Sequence, residues 1–141
     1  MKIASTVGRY LMGLTFTVIG LNGFLHFMPM APMSPMAGRF IGVLAESHYL
    51  VPVFLLQIVC GLLFLANRYV PLALTLIGPV IVNILLFHLL MDPGGIAPGI
   101  VVTVCWFAVY RGFRAGFHAI LHHDGSRREP EGDASLGFSR G

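Results

Sequence analysis

The sequence predicts an all-α fold: a four-helix transmembrane bundle with a short interfacial amphipathic helix between spans one and two. Three observations predict it. Hydrophobic residues make up 56% of the 141 residues and charged residues only 11%, against about 25% charged in a soluble domain. Apolar runs recur at the length needed to cross a hydrocarbon core of roughly 30 Å. Lys and Arg gather at the ends of those runs and in the carboxy-terminal tail, so the net charge of +3 reads as membrane topology and not as a nucleic-acid footprint.

The first span covers about residues 5–25. Lys2 and Arg9 flank its start. A signal peptide also sets a basic segment before an apolar run, but this run is long and no small-residue cleavage site follows Phe27. Gly8, Gly13, Gly20 and Gly23 thin the helix, which lets a neighbouring backbone approach closely. Next comes the longest connection, 26–49. Pro29, Pro32 and Pro35 keep its first half non-helical. The run MPMAPMSPM offers thioethers, which are soft copper ligands, but it reads as a flexible apolar strap in the interface. From 36 to 46, Phe40, Val43 and Leu44 recur at helical spacing with Arg39 and Glu46 off that face, which predicts the interfacial helix.

The second span covers about 50–65, with Pro52 in its first turn and Gln57 as its one strongly polar side chain. Asn67-Arg68 and Pro71 imply a tight antiparallel connection to the third span, 70–90. That span is about 31 Å long at helical rise, and Gly78-Pro79 predicts a kink in it. The fourth span covers about 98–114, with Trp106, Tyr110 and the arginines as headgroup anchors. Residues 1–123 then form one transmembrane domain. Residues 124–141, polar and rich in Gly and Ser, are expected to be a disordered cytoplasmic tail.

Four spans put both termini on one side. That side holds Lys2, Arg9, Arg68, Arg111, Arg114, Arg127, Arg128 and Arg140, and the other only Arg39. The bias predicts cytoplasmic termini in an inner (plasma) membrane of bacterial type. The same orientation sorts the polar residues by depth. Asn22, His26, Gln57, Asn83, His88 and Asp92 collect in the outer leaflet, with Glu46 and His48 at its mouth. Ionisable groups at membrane depth are expensive and mark candidate sites. Each also has a plain structural reading. Asn83 and Gln57 can tie helices together, and His88 with Asp92 at i, i+4 can close a helix end. His118, His122 and His123 read as a solvated basic face, and Cys60 and Cys105 as small buried hydrophobes. No metal site is expected, and no haem axial pair, iron–sulfur cysteines or nucleotide loop is present in the sequence.

Several stretches together carry a family resemblance. They are Gly20-Leu21-Asn22-Gly23-Phe24 with His26-Phe27, the proline-rich PMAPMSP, the block from Ala37 to Tyr49, and above all PVIVNILLFHLLMDPGG from Pro79. Over roughly residues 8–115 the chain resembles the DoxX-like membrane proteins, which are similar to small subunits of a terminal quinol oxidase and of a thiosulfate:quinone oxidoreductase. The resemblance covers Asn22, Asn83, His88 and Asp92, and departs at Gln57, where many relatives carry Glu. It implies a redox-associated membrane protein, an oxidoreductase subunit more than a self-contained enzyme, that takes a quinone or similar small ring.

On that reading Asn83 or Gln57 donates to one quinone carbonyl, His88 backed by Asp92 protonates the other, and a partner protein supplies electrons. The alternative is a non-enzymatic bundle that stabilises or regulates a partner membrane protein, with the glycine-rich first span as its contact face. Under either reading the expected partners are the lipid bilayer, another membrane protein or further copies of the chain, and no nucleic acid.

Overall fold

The computed structural model describes residues 2–121, with side chains as far as residue 116. The expected disordered tail (124–141) lies outside these residues, as do the side chains of His118, His122 and His123. The helices are α1 (Lys2–Leu25), α2 (Pro35–Glu46), α3 (Leu50–Leu65), α4 (Val70–Leu90) and α5 (Ile96–Leu121), with a 3-10 turn (Pro93–Gly95) before α5. The described residues contain no strand.

The expected bounds of α3 and α4 agree with those observed. The first and last helices run longer than their apolar runs. Lys2 and the arginines beyond Tyr110 are helix formers and continue the backbone hydrogen bonds where hydropathy has already fallen. Pro98 lies inside α5, in the first turn, where a missing N–H costs nothing. The expected interfacial helix starts at Pro35, one residue early, because Ser34 caps it: its Oγ accepts the Ala37 N–H at 3.2 Å. Pro79 sits within an unbroken α4. It leaves the Thr75 carbonyl without its usual helical donor, and the Trp106 indole N–H donates to the adjacent Leu74 carbonyl at 3.0 Å.

Four helices close a cycle: α1 packs on α3 and α5, and α4 packs on α5 and α3. The α1–α3 contact is a backbone approach. A Cβ at Gly61 would stand 2.9 Å from the Gly13 carbonyl oxygen, and one at Gly13 would stand 3.1 Å from that of Gly61. Higher up, a Cβ at Gly20 would stand 2.9 Å from the Phe54 carbonyl oxygen. Such contacts are available only to residues without a side chain. The core gathers near the amino-terminal end, around Met12, Phe16, Phe64, Leu74, Ile77 and Val109. Cys60 and Cys105 are buried thiols there, as expected.

Arg9 corrects the sequence reading. It does not flank the start of α1 but lies within the helix, only 6% exposed. Its guanidinium donates to the Phe64 carbonyl, reaches the Leu65 carbonyl at 3.4 Å, and lies 4.4 Å from the centre of the Tyr10 ring. Both carbonyls belong to the last turn of α3, where the helix dipole is negative and orphan acceptors collect. The cation is therefore held by a helix terminus, with no carboxylate ion pair to it among the described residues.

Outside the core the helices turn large apolar side chains outward. Val7, Leu11, Leu14 and Val18 form such a stripe on α1, Val51, Leu55, Val59 and Leu62 on α3, Leu72, Leu76, Val82 and Leu86 on α4, and Ile100, Val104 and Phe107 on α5. Among the described residues three segments are long and apolar enough to cross a membrane: α1, α4, and Pro93–Gly116. With 16 residues, α3 reaches only about 24 Å. It meets α2 at 89°.

Candidate functional site

The end of the molecule opposite the core is built from the α1 terminus, the Met-rich strap, α2 and the start of α3. The strap is fastened at both ends. Asn22 Oδ1 accepts the Met28 N–H at 2.7 Å. At the far end Ser34 Oγ donates to the Met91 carbonyl at 2.6 Å, and the Ser34 N–H donates to Asp92 Oδ1 at 3.3 Å. Beyond Ser34, α2 makes no broad backbone contact with the other helices. It is held by the fully buried Ala37 and by the Phe40 ring, 6.1 Å from that of Phe87.

Between these parts lies a cavity of about 610 Å³, open on one side. Its walls are mostly apolar: Ile19, Phe24, Ile41, Leu50, Val51 and Phe54. The polar side chains on it are Asn22, His26 and His48. That volume and composition match small-molecule sites, which combine an apolar cleft with a few placed polar groups. Gly38 and Gly42 also line it, and a Cβ at either would meet nothing within 4 Å. Both histidines take left-handed backbone, with φ of 51° at His26 and 58° at His48, a conformation that costs a non-glycine residue roughly 1 kcal/mol or more. His26 ends α1, and His48 makes the sharp elbow between α2 and α3.

The structure does not bring the eight sequence-selected residues to one point. Asn22, His26 and His48 share the cavity. Glu46 is exposed at the end of α2 and does not line it. His88 and Asp92 are half-buried at the end of α4 and form a separate group. His88 Nδ1 stands 3.1 Å from the Asp92 main-chain oxygen. A carbonyl only accepts, so Nδ1 carries the hydrogen and Nε2 is the free acceptor of the neutral ring. Asp92 spends one carboxylate oxygen on Ser34. The expected carboxylate–imidazole pairing of the two is replaced by a helix-end closure that also anchors the strap.

The remaining two point in opposite directions. Gln57 is 5% exposed and faces the interior, where its Oε1 has no partner; the buried Thr17 Oγ1 also has none. Asn83 is exposed on α4. The core face of α4 runs through Ala73, Leu74, Ile77 and Ile81, and at 100° per residue Asn83 falls about 160° from Ile81 on the far side. It makes no side-chain hydrogen bond, and the expected tie to α1 or α3 is not formed.

Sequence reasoning missed two residues that matter to the architecture. Ser34-Pro35 is a helix-start signature and was there to be read. Arg9 gave a weaker signal, a cation inside an apolar helix that had to find acceptors. Among the described residues no three His, Cys, Asp or Glu side chains converge. Comparison with protein-family models, with curated proteins and with solved structures finds no match to this chain.

Proposed function

We propose that the chain is an integral membrane protein of the DoxX-like, redox-associated type, and that it binds a quinone or a similar small ring in the cavity between α1, α2 and α3. The observation that carries this reading is the cavity itself: about 610 Å³, walled by apolar side chains, with two imidazoles and an amide as its polar side chains. A quinone needs an apolar cleft for its ring and a donor for each carbonyl oxygen. His26 and His48, on different segments, supply donors from two sides, and Asn22 has its amide NH2 to offer because Met28 occupies its oxygen.

The outward apolar stripes and the three span-length segments support the membrane setting. With α2 and α3 as one bent span, four crossings put both termini on the Lys- and Arg-rich, cytoplasmic side of a bacterial inner membrane, and the cavity opens on the other side. Electrons come from a partner protein. His88 and Asp92, given to the latch under Ser34, hold the strap that borders the site.

Protein purified in mild detergent should carry lipid quinone, detectable by mass spectrometry of the extracted lipids. The double variant His26→Ala, His48→Ala should lose it while melting at the wild-type temperature, because both side chains are exposed. A wild-type preparation with no quinone above the detergent background would defeat this reading and favour the second one, a non-enzymatic partner of another membrane protein. One observation favours that alternative: Asn83 presents an unpaired amide from the outward face of α4, among Leu76, Val82 and Leu86, where lipid offers it nothing.

A further inference from the structure

Four nitrogen and sulfur donors line one cavity: the imidazoles of His26 and His48 and the thioethers of Met28 and Met30. They come from two segments, the stretch His26-Phe27-Met28-Pro29-Met30 that leaves α1, and the elbow before α3. The helix register brings these segments together. On α1, Gly13 meets Gly61, Gly20 meets Phe54 and Ile58, and Gly23 meets Phe54. The end of α1 therefore lies beside the start of α3, with His26 just past the one and His48 just before the other.

Both thioethers come from the non-helical segment between α1 and α2, and the chain bends at Met28. The Met28 N–H, tied to Asn22 Oδ1 at 2.7 Å, fixes the segment two residues after His26. Neither methionine belongs to the core: Met28 is 46% exposed and Met30 65%.

We propose that this rim binds one Cu(I) ion through the two thioethers and the two imidazoles. Thioethers are soft, neutral ligands that select Cu(I), and imidazole suits copper as well. No carboxylate lines the cavity, so hard cations such as Mg²⁺ and Ca²⁺ lack the oxygen donors they require. Zn²⁺ in protein sites takes thiolate, imidazole or carboxylate in place of thioether. The two imidazoles are shared with the ring reading and the two thioethers are not, so changing the thioethers tests copper binding apart from quinone binding.

The full chain in detergent, titrated anaerobically with Cu(I) against a chromogenic Cu(I) chelator, tests it. The wild type should take one equivalent, with sulfur scatterers in the copper X-ray absorption spectrum, and should take no Zn²⁺ at the same concentration. The double variant Met28→Leu, Met30→Leu should bind at least about tenfold more weakly, since even groups that only orient ligands are worth roughly 10- to 100-fold in affinity. It should melt like the wild type and retain any lipid quinone that the wild type carries, which separates this site from the ring site. Undiminished Cu(I) binding in that variant, an absorption spectrum without sulfur, or no copper taken from the chelator by the wild type would each overturn the assignment.

Discussion

The two ends of this molecule solve opposite problems with the same residue types. At the amino-terminal end glycine brings backbones together: Gly13 and Gly61 face each other across α1 and α3, where a Cβ on either would press on the other's carbonyl. At the cavity end, Gly38 and Gly42 in α2 face open space. Cationic and polar side chains divide in the same way. Arg9 is buried and spends its guanidinium on the last turn of α3, whereas His26 and His48 stand exposed on the cavity. The difference teaches that residue type alone does not say whether a position holds the fold or serves a site. The distance to the nearest neighbouring atom does.

The comparison breaks hardest at Gly61. Gly61→Ala would place a Cβ 2.3 Å from Thr17 Oγ1 and 2.7 Å from the Thr17 backbone nitrogen. Helix propensity favours the change, but overpacking dominates, and the variant should lose about 3 kcal/mol. Chemical unfolding in detergent micelles measures it. Wild-type stability would show that α1 and α3 can separate without cost.

A smaller loss is expected at Arg9. Arg9→Met keeps the length and apolar character of the stem and removes the donors to the α3 carbonyls and the cation over the Tyr10 ring. With charged hydrogen bonds worth roughly 1.5–3 kcal/mol, the cost should be about 2 kcal/mol. Amide exchange should rise over residues 62–69, at the α3 terminus, while residues 35–46 keep the wild-type rate. Equal acceleration in both places would mean that the two ends are one cooperative unit.

The smallest effect has the opposite sign. Gly42→Ala adds a methyl group where nothing lies within 4 Å, inside a helix, so it should stabilise α2 by up to about 1 kcal/mol. Slower amide exchange confined to residues 36–46 is the expected result. Faster exchange there would show that α2 closes against a neighbour at this glycine.

Much of the helix layout was legible because apolar runs and proline punctuation fix where helices start and stop. The apolar runs at about 50–65 and 70–90 coincide with α3 and α4. The site was legible only in depth. Counting residues along a helix gives height, so Asn22, His26 and His48 fell at one level and share one cavity. Rotation about the axis was not readable on α4, which is apolar on every face and offers no amphipathic stripe to orient it. Asn83 and Gln57 looked alike in sequence and ended on opposite sides of the helix layer, one outward and one inward. The latch through Ser34 was hidden for another reason. It joins residues 57 and 58 positions apart, and nothing local to either end announces the other.

In the proposed membrane setting, the shortness of α3 sets a condition on the lipid around it. Its 16 residues give about 24 Å, so in a hydrocarbon core of roughly 30 Å it is undersized by about 6 Å, and that hydrophobic mismatch falls on one flank of the protein only. At its amino-terminal end α3 meets the elbow at His48, where α2 turns away at 89°. Either the bilayer thins along this flank or α2, carrying exposed Met36 and Val43, fills the gap. Thicker membranes load the elbow and thinner ones relax it. Because α2 is one wall of the cavity, the proposed membrane setting would couple the width of that opening to the thickness of the bilayer.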